Sequence, residues 1–131
     1  MQTIQPHAFF APQLIIDDCA TAIEFYKKAF DIEELGRWSN PDGSVHVAEL
    51  SFDGAIFHIH EPTARYPSDA SKAESVVVII GVFVEDVYGV VSRAVTAGAK
   101  LIDPVTDHDY RYRQGTVEDP FGHQWLIEKK I

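Results

Sequence analysis

Two stretches of the chain, "DCATAIEFYKKAF" from Asp18 and "DVYGVVSRAVTAG" from Asp86, follow one plan and stand 68 residues apart. In each, an aspartate suited to accept from first-turn backbone N–H groups precedes apolar or small residues at helical spacing. These are Cys19, Ala22, Ile23 and Tyr26 in the first, and Val87, Val90, Val91 and Ala94 in the second. Such a stripe lays one face of a helix on a sheet. The same offset aligns "QLIID" with "GVFVE", Gly54 with Gly122 and Ile59 with Ile127, without a gap. A chain that repeats its caps, helix faces and turns together is constrained to fold as two similar modules.

Each module reads as a strand, a helix and three further strands. In the first these are "AFFAPQLII", the helix, "EELGRW", "SVHVAELSF" and "AIFHIH", with turn signals at "NPDG" and "DG". In the second they are "SVVVIIGVFV", the helix, "AKLIDPV", "YRYRQGTVE" and "HQWLIE", with "DPFG" as the last turn. A polar, Pro- and Ser-containing stretch separates them. The expected organisation is one domain over 1–131: module one at about 7–61, a linker at about 62–74 and module two at about 75–131.

The formal net charge of -9 argues against nucleic acid and anionic membranes as partners, since both would repel the surface. A single cysteine, Cys19, excludes an internal disulfide and a thiolate zinc site, and reads as a small core residue. No apolar run approaches membrane length and no basic, apolar leader opens the chain, so a cytoplasmic protein is expected.

In "GAIFHIHE", His58 and His60 lie two apart and share one face of a strand. They read equally as lining for a ligand pocket, with His58 a candidate general base, or as histidines satisfied by backbone or water. Glu49, between Val47 and Ser51 on one face, is a second candidate acid or base; His46 faces the other way. In "DHDYRYRQG", Arg111 and Arg113 share a face, as do Tyr110 and Tyr112. The arginines read as an anion clamp or as a solvated edge strand. Trp38 reads as a stacking platform or a rim residue, and His123 as a strand-start residue. Phe57, Trp125 and Ile127 read as packed under the helices.

The paired βαβββ pattern, with "AIEFYKKAF", "PDGSVHVAEL", "AVTAGAKLIDPV" and "VEDPFGHQW", resembles the vicinal oxygen chelate superfamily of glyoxalases, bleomycin-resistance proteins and extradiol dioxygenases. The closest resemblance is to its PhnB-like branch, with which Arg113 matches a motif arginine. The resemblance implies an α+β fold: two tandem βαβββ modules form curved mixed sheets around a cup, with the helices on the outer face. It also implies a homodimer. Metal-using members place four ligands in the cup, on the first and last strands of each module. Those positions fall on Ala11, His58, Ile79 and Leu126, of which only His58 has a lone pair to give. Displaced registers would bring in Gln13 and Glu128, giving a set of Gln13, His58, His60 and Glu128.

The expectation is therefore a small-molecule binding protein without a metal, its cup lined by His58, His60, Gln13, Phe83 and Arg113 and holding a small organic ligand. The alternative is a metal-dependent lyase or isomerase of the glyoxalase kind, or a dioxygenase-like enzyme, with an atypical divalent-metal site. A third reading is an interaction module with a filled cup.

Overall fold

Asp18 and Asp86 cap the two helices as their positions require. The Asp18 carboxylate accepts from the Thr21 backbone N–H (3.2 Å) and hydroxyl (2.8 Å), and Asp86 accepts from the Gly89 N–H (2.9 Å). The two caps differ in one detail. A Cβ at Gly89 would collide with the Asp86 carboxylate as it is placed, so the second cap uses a closer carboxylate position than the first, where Thr21 stands at the equivalent place.

The computed structural model describes residues 8–67 and 78–131. Part of the expected linker, the start of module one and the first residues of "SVVVIIGVFV" fall outside the described residues. The elements are β1 (Gln13–Ile15), α1 (Cys19–Phe30), β2 (Glu33–Ser39), β3 (Val45–Phe52) and β4 (Ala55–His60), then β5 (Ile79–Phe83), α2 (Val87–Ala97), β6 (Lys100–Asp107), β7 (Tyr112–Glu118) and β8 (Gln124–Lys130). They form two four-stranded sheets of the same order, β1-β4-β3-β2 and β5-β8-β7-β6. The outer pairs β1–β4 and β5–β8 are parallel and the rest antiparallel, as in a tandem βαβββ fold.

The ungapped repeat needs one correction. The offset of 68 holds at the helix starts and between β1–β4 and β5–β8: Gln13 pairs with His58 as Gly81 pairs with Leu126. The middle strands instead match at 67, since Glu34 pairs with Leu50 as Leu101 pairs with Val117. One residue is lost at the helix ends, where α1 has 12 residues and α2 has 11. It is regained in the last turn. Asp53–Gly54 closes the first module, both at positive φ as a two-residue hairpin prefers, whereas Pro120–Gly122 lie between Asp119 and His123 in the second. A single uncompensated slip would have turned the sheet's apolar face outward.

A further difference concerns "YRYRQGTVE". Arg111 adopts φ 70, so β7 begins two residues later, at Tyr112, and Arg111 belongs to the turn. β6 runs to Asp107 through Pro104, which the sheet tolerates because β6 is an edge strand with irregular register there.

The modules meet through their helix-covered faces. Tyr26 and Phe30 of α1 pack on Trp125 of β8 (ring centroids 5.7 and 5.0 Å), and Tyr26 also meets Phe57 of β4 (5.6 Å). Arg93 of α2 donates to the carbonyls of Lys28 (2.7 Å) and Lys27 (3.4 Å), placing a cation at the C-terminus of α1 where the helix dipole favours it. Beneath these rings lies Asp119, 3% exposed. Its Oδ1 accepts from the backbone N–H of Phe121 and His123 (3.0 Å each), and its Oδ2 from Tyr26 Oη (2.6 Å) and Trp125 Nε1 (3.0 Å). Burial, then the Asp119 charge, hold the Tyr26 phenol well above its usual pKa.

Replacing Asp119 by Ala strands two backbone and two side-chain donors, and should cost about 3–5 kcal/mol of stability. Tyr26→Phe removes one donor and should cost about 1–2 kcal/mol. Urea unfolding of the three proteins checks this; equal stability of Asp119→Ala and the parent would remove Asp119 from its central place.

Candidate functional site

One row of paired residues crosses the first sheet: Gln13 on β1, His58 on β4, Glu49 on β3 and Gly36 on β2. The neighbouring row, Leu14, Ile59 and Ala48, is buried in the core. Since successive residues alternate faces, the Gln13–His58–Glu49 row looks away from the helices, onto the cup face.

The three side chains are joined. Gln13 Nε2 lies 2.8 Å from His58 Nδ1, and His58 Nε2 lies 3.2 Å from Glu49 Oε2. An amide nitrogen only donates, so Nδ1 accepts from Gln13 and the Nε2–H donates to the carboxylate. Both nitrogens of His58 are therefore engaged, and a lone pair for a proton or a metal becomes free only when Gln13 swings away. Glu49 is partly exposed beside it. Trp38 shares this face, opposite Val47, and its indole folds over Gly36: a Cβ there would lie 3.1 Å from Trp38 Cη2. At 55% exposed, that ring forms a flat apolar wall beside the polar row.

His60 continues the face opposite Ile15, but its Nδ1–H donates to the Glu61 carbonyl (3.1 Å). Of the two histidines it is the one held by backbone. Phe83 lies on the cup face of the second sheet, more than half exposed, and meets Tyr112 edge-on at 6.0 Å. Arg113 lies elsewhere. It projects to the helix side of β7, donates to both oxygens of Asp107 (2.7 and 3.1 Å) and stacks over Tyr88 of α2. The ion pair lowers the Asp107 pKa and raises that of Arg113. This placement takes Arg113 out of the cup.

The second sheet has its own polar row, one step further along: Phe83, Glu128, Gln114 and Thr106. Tyr110 Oη donates to Gln114 Oε1 (2.6 Å), and Gln114 Nε2 donates to Glu128 Oε1 (2.8 Å). Gln114 went unnoticed in the sequence. Its position two residues after Tyr112, on the face of an aromatic strand, was the available signal.

The donor set does not fit the four-ligand metal site of the resembling family. The first-strand neighbour of His58 is Gln13 and not Ala11, and that of Leu126 is Gly81 and not Ile79. Leu126 and Gly81 offer nothing to a metal. Among the described residues of one chain, no three His, Cys, Asp or Glu side chains converge. Gln13 and His58 of the drawn alternative set do meet, but Glu128 belongs to the other sheet's cluster. Cys19 is fully buried, and burial followed by the Glu61 charge pushes its thiol up to about 12. It is an inert core group.

An open cleft of about 930 Å³ lies beside β5, between it and the Asp53–Gly54 turn. It is lined by apolar groups, Phe9, Phe10, Ile80, Val82 and Phe83 among them, and of the expected cup residues only Phe83 reaches it. The cleft is thus distinct from the Gln13–His58–Glu49 row.

The family model for the Glyoxalase/Bleomycin resistance protein/Dioxygenase superfamily matches residues 5–127. The chain belongs to this superfamily. The uncharacterized protein Mb0911c of Mycobacterium bovis is 35% identical to it over 125 residues, 92% of this chain and 82% of that protein. The fold is shared with the Arabidopsis thaliana gene product At5g48480 at TM-score 0.73 and 27% identity, over 93% of this chain and 98% of that one. It is shared too with the fosfomycin resistance protein FosX of Listeria monocytogenes, whose structure is a complex with Mn(II) and sulfate. There the TM-score is 0.72 and the identity 15%, over 97% of this chain and 93% of that one. Among the described residues no helix is long and apolar enough to cross a membrane.

The bonding around His58 sets its neutral tautomer. Long-range ¹H–¹⁵N correlation spectra should show the proton on Nε2, and Gln13→Leu should release that preference. A proton on Nδ1 in the parent protein would contradict the Gln13 contact.

Proposed function

We propose that this superfamily member is a metal-independent small-molecule binding protein whose ligand lies on the Gln13–His58–Glu49 face. The observation that carries this reading is the satisfied state of His58. Gln13 and Glu49 hold it between them as one member of a hydrogen-bonding row, with the other ligand positions of the fold taken by Leu126 and Gly81. The row offers a donor and an acceptor to a bound molecule: the outer N–H of Gln13 and the free lone pairs of Glu49. Trp38 supplies a ring to stack on, in the usual pattern of an apolar site with few polar groups.

Trp38, Ile79 and Phe83 are each more than half exposed on the two cup faces, so a second copy of the chain is the partner proposed to close the cup. Symmetric pairing is the commonest solution for such self-complementary surfaces. The acidic chain is proposed to work in the cytoplasm.

A second reading, an enzyme of the lyase, isomerase or dioxygenase kind, draws on the Glu49–His58 pair, since a carboxylate orienting an imidazole is a common acid–base arrangement. FosX was crystallised with Mn(II), which gives that reading its metal. Melting of EDTA-treated protein with nickel, zinc, manganese or iron(II) separates the two. Binding to the native state raises the melting temperature by mass action, and no rise above about 1 °C is expected. A larger rise, lost in His58→Ala, would make the protein a metalloenzyme.

Trp38 also provides the positive test. A small-molecule library should yield compounds that change its fluorescence while the buried Trp125 stays silent, with sedimentation giving twice the 14.7 kDa of one chain. Gln13→Leu should weaken those compounds about tenfold, the worth of one good hydrogen bond. Compounds indifferent to both Gln13→Leu and His58→Ala would move the ligand off this face.

A further inference from the structure

The second module does not copy the first module's polar row. At the positions equivalent to Gln13, His58 and Glu49 it carries Gly81, Leu126 and Thr116. Its polar group lies one step on, at Glu128, whose side chain is directed across the backbone of Gly81: a Cβ there would lie 2.9 Å from Glu128 Oε2. Glycine at 81 leaves the carboxylate room to occupy that space.

Glu128 is 8% exposed, and the one hydrogen bond its carboxylate accepts among the described residues comes from the neutral amide of Gln114, on Oε1. Tyr110 donates to the Gln114 carbonyl oxygen and so turns the amide nitrogen toward Glu128. No lysine, arginine or histidine lies within ion-pair reach of Glu128 among the described residues. Lys129 is on the other face and bonds Glu85, while Lys130, opposite Tyr112, is exposed at the strand end. Its Oε2 accepts from no protein donor among the described residues and touches solvent at the cup face, so a bound cation would meet it without displacing a protein partner.

Around it stand aromatic rings. Phe83 pairs directly with Glu128, Phe83 meets Tyr112 at 6.0 Å, and Tyr112 meets Tyr110 at 5.7 Å. Phe83 and Tyr110 are 58% and 60% exposed; His108 stacks on one face of Tyr110 (4.9 Å), and the remaining ring surface is open to a ligand. Ring faces attract cations through their quadrupole, and most strongly where water is excluded. The net charge of -9 adds a long-range field that draws cations and repels anions.

We propose that the second module's cup face binds an organic cation, its ammonium group seated on Glu128 Oε2 and flanked by Phe83, Tyr110 and Tyr112. This goes beyond the first-face reading by naming a ligand class, and rests on that reading only in taking the cup faces as binding surfaces. The ligand supplies the counter-charge that the fold withholds.

The probe is phenyltrimethylammonium, compared with its uncharged isostere tert-butylbenzene and with the anion benzenesulfonate, each titrated into ¹⁵N-labelled full-length protein. The cation should shift the amides of Gly81, Gln114 and Glu128, and bind at least tenfold more tightly than either comparison compound. Glu128→Gln keeps the shape and the Gln114 contact, and should weaken the cation at least tenfold. Phe83→Leu, at an exposed position, should weaken it several-fold and carries the test should Glu128→Gln fail to fold. Equal binding of the neutral isostere, an unchanged affinity in both variants, or no cation binding would overturn the proposal. Shifts confined to Gln13, His58 and Trp38 would overturn it too, while leaving the first-face reading standing; that reading fails separately, through the Trp38 titrations.

Discussion

A single buried carboxylate holds this fold together. Asp119 sits in a turn of the second module, yet one of its four donors, the Tyr26 hydroxyl, comes from the helix of the first. The turn could not close in this form without an acceptor for the Phe121 and His123 N–H groups. The Trp125 indole and the Tyr26 phenol could not be buried without one for theirs. One group thus sets the local turn, seats the largest core side chain and joins the halves. Because it satisfies four donors at once, the usual cost of burying a charge is offset by charge-assisted bonds rather than by a counter-ion. The contrast with Glu128, buried on the other side of β8 with one neutral donor, is what marks that residue as unfinished business for a ligand.

Much of this architecture was legible in the residues because local chemistry dictates it. The capping aspartates, the 3.6-residue stripe of each helix and the Asp53–Gly54 turn each act over a few residues, and all appear where the pattern put them. What escaped was set at longer range. The repeat looked ungapped because its lost and regained residues fall at a helix end and a turn, where the apolar pattern is silent. Asp119 looked like an ordinary turn residue, since its partners lie as far as 93 positions away in sequence.

The cup was less legible than the fold. The strand periodicity placed His58 and Gln13 on one face, and they meet, but the pairing register decided that Gln13 rather than Ala11 stands beside His58. Parallel strands have no connecting hairpin to fix that register, so only the structure reveals it. Arg113 shows the opposite case. Its strand was recognisable, yet its face depended on where β7 begins, and the left-handed Arg111 delays that start. Arg113 then spends its charge on Asp107 and its planar surface on Tyr88, both on the helix side.

The two modules repeat in backbone and diverge in the faces they present. The shared core restricts what Tyr26, Phe30, Phe57 and Trp125 can be, whereas nothing in the backbone requires the cup rows to match. Each module also completes the other: Asp119 and Arg93 of the second accept from and donate to the Tyr26 hydroxyl and the C-terminal carbonyls of α1 in the first. Severed, the halves would have to find each other as two solutes, at whatever concentration the cell held them. Joined in one chain, each meets the other at an effective concentration on the order of millimolar. The connection is therefore a thermodynamic component of the fold: it turns an association equilibrium between two incomplete surfaces into a unimolecular one.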